Sequence, residues 1–200
     1  MLTDFPRLLD LDRRAVTLSV DLIAPVTAAD LTRPTPCTGW DLADLIAHMT
    51  AQHRGFAAAA AGRGADPQPW QPVPVADPIT AYRQAAADVQ AAFATAEDTA
   101  FTIPEFGPRT FPARMALSFH LVDYVVHAWD VAAARGVPFE PAPELIPAAL
   151  PIALAVPDDD RRLSPQAPFR PAVSVTATAT PLEKLLATLG RDPAWPGPAK

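Results

Sequence analysis

The residues best suited to chemistry lie in one short segment, which runs from His120 to His127. In a helix, residues four apart project from nearly the same side, about 40° apart around the axis, so Asp123 and His127 share a face. The segment is otherwise rich in Leu, Val and Tyr, which predicts that part of this face is buried. A buried carboxylate is costly unless a cation or hydrogen bonds satisfy it. The pattern therefore predicts that Asp123 and His127 bind a metal ion; the alternatives are an Asp–His salt bridge or a hydrogen bond from a tyrosine hydroxyl.

A third ligand must come from another helix at a similar depth, and His48 is the residue that qualifies. Counted from Thr38, it lies roughly 15 Å along its helix. Counted from Pro112, the Asp123 and His127 pair lies roughly 16 to 22 Å along its own helix. Two imidazoles and one carboxylate leave a coordination position open, in which zinc can bind water, a thiolate or a substrate oxygen.

Several polar neighbours of these ligands have roles that the spacing leaves open. Asp44 precedes His48 by four residues, and His120 precedes Asp123 by three. Either residue can replace a ligand, orient one through a hydrogen bond, or be structural. Asp130 follows the last histidine by three residues and can orient its ring, with an exposed ion pair as the alternative. His53 points away from the ligand face and is predicted at the surface.

Cys37 is the single cysteine of the chain, so neither an internal disulfide nor a cysteine-rich zinc site is available. If it precedes a helix that begins at Thr38, it lies about 16 Å along the axis from His48, too far to bind the same ion. Its expected role is that of a small buried residue at the entry to the helix. No Gly-rich phosphate loop, Ser–His–Asp motif or HExxH motif is present, which disfavours the common hydrolase and nucleotide-binding classes.

Four long helices must position these side chains. Apolar stripes at helical spacing, capping residues and the distribution of the 25 prolines define them. The predicted spans are Phe5 to Ile23, Thr38 toward Gly62, Pro78 to near Glu97, and Thr110–Pro112 to Gly136. Four such helices predict a mainly α-helical bundle.

The chain changes character after this bundle. A short proline-interrupted helix is predicted over 143–156, an exposed turn over 158–162, an alternating strand over 173–180, and a capped helix over 182–189. With no linker or internal repeat, residues 1–200 are predicted to be one domain, in which a bundle (1–156) carries a C-terminal appendage (157–200) packed on it.

Composition excludes several functional classes. The 200 residues carry 16 basic and 22 acidic side chains, a net charge of −6 with no basic patch, so a nucleic-acid partner is not expected. No apolar run reaches the roughly 20 residues of a membrane span, and the N-terminus lacks the pattern of a secretory signal. We therefore expect a cytoplasmic protein without a membrane partner.

Two motifs resemble a known family. T-P-C-T-G-W-D at 35–41 and H-A-W-D at 127–130, with an ending at 185–193, resemble DinB-like metal-binding proteins. The similarity is to the actinobacterial branch related to mycothiol-dependent maleylpyruvate isomerase, and it covers nearly the whole chain. It implies a four-helix bundle with a divalent ion, zinc or nickel, on His48, Asp123 and His127.

The resemblance also implies a reaction class. Relatives activate a low-molecular-weight thiol, mycothiol or bacillithiol, for addition, transfer or isomerisation, so the implied partners are a small thiol and a small electrophile. The chain departs from the isomerase by having Asp123 in place of a glutamate and by a shorter C-terminal part, which makes maleylpyruvate a doubtful substrate. A non-catalytic metal- or ligand-binding module of the same fold is the alternative, and a homodimer stays open.

Overall fold

The structure is a computed structural model, and it describes residues 4–107, 109–164 and 167–196. Within these residues the fold is mainly α-helical. The elements are α1 (Phe5–Ile23), α2 (Leu42–Ala60), α3 (Pro78–Phe93), β1 (Ala100–Thr102), β2 (Thr110–Pro112), α4 (Ala113–Arg135), α5 (Leu145–Leu154) and α6 (Pro181–Thr188). The outermost residues of the predicted single domain, 1–3 and 197–200, lie outside the described residues.

Helix α1 has the predicted bounds because a capping side chain at its start and an apolar stripe along its length act together. The Asp4 side chain accepts a hydrogen bond from the backbone N–H of Arg7, which satisfies one of the free donors at the helix start. Leu8, Leu11 and Ala15 are buried along one stripe. This apolar stripe packs against α4, which carries two of the candidate ligands.

Helix α2 begins four residues later than the sequence predicted. Its N-cap is Asp41, which forms a capping box with Asp44, and not Thr38. Gly39 adopts a left-handed φ of 83°, and the Leu42 N–H bonds the Arg33 carbonyl, so residues 38–40 form a turn that folds back on the preceding loop. His48 is therefore only about 9 Å along α2, counted by the helical rise.

Helices α3 and α4 also differ from expectation at one end each. Helix α3 stops at Phe93, where turns replace the predicted extension toward Glu97. Residues 110–112, predicted as the first turn of α4, form β2, which pairs antiparallel with β1. The end of α4 is as predicted, because Gly136 caps it in the left-handed region with a φ of 67°.

The four long helices pack around one core. Helix α1 lies along α4 and α2 lies along α3, while α2 also contacts α4. At the α2–α4 contact the buried Tyr124 hydroxyl donates to the Met49 carbonyl. This contact brings the middle of α2 next to the middle of α4.

The C-terminal part differs from the prediction at one element. Residues 173–178 are exposed, and neither strand of the described part of the chain pairs with them. The strand prediction was therefore wrong. Helix α6 begins as predicted with the Thr180–Glu183 capping box and packs on α5. Buried Arg162 donates hydrogen bonds to four backbone carbonyls of the segment, those of Val156, Pro157, Arg170 and Thr188.

None of the described helices combines the length and the hydropathy needed to cross a bilayer.

Candidate metal centre

His48 reaches the centre from α2. Its ring is partly buried, and its centroid lies 5.2 Å from the His127 ring in an edge-on arrangement. The centroid of the Trp40 ring, from the turn before α2, lies 4.8 Å from the same imidazole. The late start of α2 thus puts an indole beside the imidazole.

Asp123 and His127 reach the centre from α4. The i,i+4 spacing puts His127 Nε2 3.4 Å from Asp123 Oδ1. His127 is 4 % exposed, while the Asp123 side chain is 21 % exposed and so borders open space. The carboxylate and the imidazole nitrogen point toward the same region as His48.

The three side chains selected by their spacing therefore lie together. One coordinating atom of each lies within 4.8 Å of the other two. Ligands on one zinc ion, at 2.0 to 2.2 Å each, are separated by about 4.4 Å at most. Small side-chain adjustments would be enough to bring all three into one coordination sphere, and nitrogen and oxygen donors are of the type that zinc accepts.

His127 is held from behind by Asp130. The His127 Nδ1–H donates to Asp130 Oδ2 at 2.9 Å, which leaves Nε2 directed at Asp123 and His48. Asp130 is fully buried, so the alternative of an exposed ion pair does not apply. A histidine that binds a metal through one nitrogen typically donates the other N–H in this way.

Arg191 and Cys37 complete the same network, and sequence reasoning gave neither a part in it. Arg191 Nη2 lies 3.1 Å from Asp130 Oδ2, and the Cys37 thiol donates to the same oxygen at 3.3 Å. Arg191 follows α6, so no local pattern connects it to α4. The estimate that Cys37 is remote failed because residues 37–40 form a turn and not the start of a helix.

Cys37, His127 and Asp130 also offer three closely spaced ligand atoms. The Arg191 guanidinium lies within this group, with Nη2 3.1 Å from the carboxylate and 3.6 Å from the sulfur. A cationic side chain therefore already pairs with the carboxylate of this second group, whereas within the described residues no Lys or Arg forms an ion pair with Asp123. This contrast favours the first trio as the metal centre.

Asp44 and His120 lie away from the trio. Asp44 is exposed and caps α2. His120 is fully buried and donates from Nδ1 to Asp12 Oδ1 at 2.7 Å, while its Nε2 lies 3.2 Å from His53 Nδ1. The prediction that His53 is a surface residue was wrong, since it is fully buried and stacks on the Tyr124 ring.

The two histidines of the trio have opposite pKa shifts. Burial, with the nearby His127 charge, lowers the pKa of His48 from 6.5 to about 4. Burial would also lower the pKa of His127, but Asp123 and the hydrogen bond to Asp130 outweigh it and raise the pKa to about 10. Without a metal, therefore, His127 carries the proton that balances the acidic neighbours.

The trio opens onto a cavity of about 1030 Å³. Its lining includes His48, Asp123 and His127, and most of the remaining surface is apolar. Binding cavities for small molecules typically measure about 300 to 1,000 Å³, so this one has room for more than one small ligand.

Comparison with known proteins identifies the family. The sequence profile of the mycothiol maleylpyruvate isomerase N-terminal domain matches residues 13–132. The chain belongs to this family. Uncharacterised proteins from two strains of Mycobacterium tuberculosis are each 30 % identical over 179 residues, covering 90 % of this chain and 94 % of their own length.

Solved structures agree at the level of the fold. The crystal structure of mycothiol-dependent maleylpyruvate isomerase has a TM-score of 0.55 at 18 % identity, and a histidine-to-alanine mutant of that enzyme has 0.59 at 16 % identity. Each match covers 74 % of this chain and 68 % of the other. The DinB-like fold predicted from the motifs is thereby confirmed.

Proposed function

We propose that this family member is a divalent-metal enzyme with mycothiol as co-substrate. It either transfers the thiol to a small electrophile or isomerises that electrophile. The observation that carries the proposal is the convergence of His48, Asp123 and His127 on one wall of a large cavity. Membership of a family named for a mycothiol-dependent isomerase supports the thiol. Zinc is the proposed ion, since two imidazoles and a carboxylate match its donor preference.

In this proposal the trio would hold the ion at the wall of the cavity. When bound, the ion supplies a Lewis acid that favours the deprotonated form of a thiol. Asp130 keeps the proton of His127 on Nδ1, so that Nε2 stays available as a ligand. The Trp40 ring also packs against His48 and would limit the movement of its imidazole.

The surrounding cavity contributes position and exclusion of water. Apolar walls remove solvent from the reacting thiol and its acceptor, and confinement in one cavity raises their effective concentration. In a thiol addition the S–C bond forms, the C=C π bond breaks, and the thiol proton ends on the neighbouring carbon. The reaction needs no oxidant or reductant.

Metal content tests the centre. Protein purified without chelator should hold about one divalent ion per chain by mass spectrometry, and His48→Ala and Asp123→Asn should each reduce this to a small fraction. Asp21→Asn, an exposed acid on α1, is the matched control and should retain the ion. Full metal content in both site variants would contradict the proposed ligands.

Activity is tested separately. The metal-loaded protein is incubated with mycothiol and electrophiles, and the adduct is followed by mass spectrometry. We expect product formation that requires both metal and thiol. A stoichiometric metal with no thiol-dependent product from any electrophile would refute the enzyme and favour the binding-module alternative.

A further inference from the structure

Helix α2 presents one side chain per turn to the cavity beside the metal centre. His48, Gln52 and Phe56 follow one another at a spacing of four residues, and all three line the cavity. His48 belongs to the candidate centre, and Phe56 contributes an apolar ring to the wall. Gln52 is therefore a polar group placed one helical turn from a candidate ligand, on the same face of the helix.

The Gln52 carboxamide is buried without a partner. The residue is 7 % exposed, so more than nine-tenths of it is covered. Within the part of the chain that the structure describes, neither its NH2 group nor its carbonyl oxygen makes a hydrogen bond. Because buried amides normally have hydrogen-bond partners, this one is suited to a bound molecule in the cavity that it lines.

Other buried polar groups of the cavity wall are already engaged. The Ser118 hydroxyl, from α4, donates to the Met115 carbonyl of its own helix. The Arg191 guanidinium pairs with the Asp130 carboxylate. The carboxamide of Gln52 differs from both, because its hydrogen-bonding capacity is left for a ligand.

A ligand in the cavity has to match this carboxamide. Water solvates the amide as long as no ligand is bound, and a ligand that displaces this water must replace its hydrogen bonds. An apolar group at this point would leave a buried donor and a buried acceptor unsatisfied. A secondary amide offers a carbonyl oxygen to the NH2 group of Gln52 and an N–H to its carbonyl oxygen.

The position of Gln52 relative to His48 indicates which ligand carries the amide. The Cβ atoms of helical residues four apart are about 5 to 6 Å from each other. In an N-acylated cysteine the amide nitrogen lies only three bonds from the sulfur. A sulfur bound at the candidate centre would therefore have its amide within reach of the next turn of α2. Mycothiol belongs to this chemical class.

We propose that Gln52 recognises an amide next to the sulfur of the thiol substrate, and that this contact selects an N-acylated cysteine over a plain alkyl thiol. The presence of a thiol rests on the proposed function. The recognition itself follows from a carboxamide that is buried in the cavity wall, has no partner among the described residues and lies one turn from His48.

Two thiols of equal chain length test the contact without requiring catalysis. N-acetylcysteamine carries a secondary amide, and 1-pentanethiol has the same number of chain atoms without it. Anaerobic calorimetric titration into zinc-loaded protein measures the affinity of each thiol. Gln52→Leu should weaken the binding of N-acetylcysteamine about tenfold, which corresponds to about 1.4 kcal/mol, and should not weaken the binding of 1-pentanethiol.

Two further variants make the comparison specific. Gln52→Met keeps an unbranched side chain without a carboxamide, so it should give the same result and serves if Gln52→Leu does not fold. Ser118→Ala is the matched control, because it removes a hydroxyl of the same wall that is already bonded within its helix. Its ratio of the two affinities should equal that of the wild type. The zinc content of every variant is measured alongside.

Three results would overturn the inference. An unchanged affinity for N-acetylcysteamine in the folded Gln52 variants would show that the amide does not contact this residue. Equal weakening of both thiols would show that Gln52 acts on the structure of the centre. An equally selective loss in Ser118→Ala would show that the effect is not specific to the carboxamide.

Product formation separates this inference from the proposed function. The same zinc-loaded samples are incubated with mycothiol and electrophiles, and thiol-dependent products are measured. No product together with the selective effect of the Gln52 variants would refute the enzyme and leave the amide contact intact. Product formation without the selective effect would do the reverse. Wild-type protein that binds neither thiol would contradict both.

Discussion

Asp130 is the residue whose removal tests the most connections at once. Its buried Oδ2 accepts from His127 Nδ1, from Arg191 Nη2 and from the Cys37 thiol. Asp130→Asn keeps the shape but removes the charge. In the variant the buried Arg191 guanidinium loses its carboxylate partner, and the His127 Nδ1–H faces a neutral amide oxygen, which is a weaker acceptor.

The size of the effect follows from the surroundings of the carboxylate. Burial would raise the pKa of Asp130, but Arg191 and the hydrogen bond from His127 outweigh it and lower the pKa from 3.8 to about 2. A shift of this size corresponds to on the order of 2 kcal/mol in favour of the charged form. Leaving a buried partner charge unpaired typically costs about 3 to 5 kcal/mol, so we expect Asp130→Asn to lower the free energy of unfolding by about 3 kcal/mol.

The pH dependence has a defined sign. Because the folded pKa lies below the unfolded one, this contribution is present above about pH 4 and is lost as the pH falls toward 2. Urea unfolding of chelator-treated wild type and Asp130→Asn should therefore differ most near neutral pH and converge in acid. Asp21→Asn serves as the exposed control.

Two further measurements complete the test. Competition with a chelator should show zinc affinity reduced about 10- to 100-fold in Asp130→Asn, because the acceptor behind His127 is weakened. Arg191→Met should cost less stability in the Asp130→Asn background than in wild type, since the two residues act as a pair. Wild-type stability together with wild-type zinc affinity in Asp130→Asn would refute the reasoning.

Two other predictions concern the proton of His127 and the buried cluster formed by Asp12, His120 and His53. Because the pKa of His127 is raised from 6.5 to about 10, its contribution to the stability of the metal-free fold is fully present below pH 6.5 and is lost as the pH rises through 10. At pH 7.5 the metal-free protein therefore carries this proton, and zinc binding should release about one proton. Calorimetry in buffers of different ionisation enthalpy measures the number released. Release of no proton would contradict the assigned state of His127, since His48, with a pKa of about 4, is already neutral. Asp12→Asn should lower the free energy of unfolding by about 3 kcal/mol, because buried His120 loses its charged acceptor, and should leave zinc content unchanged. Loss of zinc in this variant, or unchanged urea unfolding, would show that the cluster is not a separate structural feature.

Local signals predicted the elements that position the candidate site. The apolar stripe and cap of α1 and the Gly136 end of α4 are properties of short segments, and the sequence contains them directly. The common face of Asp123 and His127 follows from helical geometry alone. These features needed no knowledge of the rest of the fold.

Features that depend on tertiary contacts were missed. The start of α2 was misjudged because Thr38 to Asp41 matches one cap pattern, while the backbone bond from Leu42 to Arg33 favours the later cap. His53 was assigned to the surface because it points away from His48, but α2 is covered on that side as well. The segment 173–180 alternates like a strand, and yet none of the strands in the described ranges pairs with it.

The Arg191 contact explains why the short C-terminal part matters to the centre. Arg191 lies 61 residues from Asp130 in the chain, and its position is set by α6, which packs on α5. Through Asp130 its charge acts on the nitrogen of His127 that faces away from the candidate ligands. The long helices supply the three candidate ligand side chains, and the C-terminal segment supplies the cation that favours the ionised form of Asp130 behind His127. A chain that kept the trio but lost this segment would therefore have the ligand types without the charge balance that orients His127.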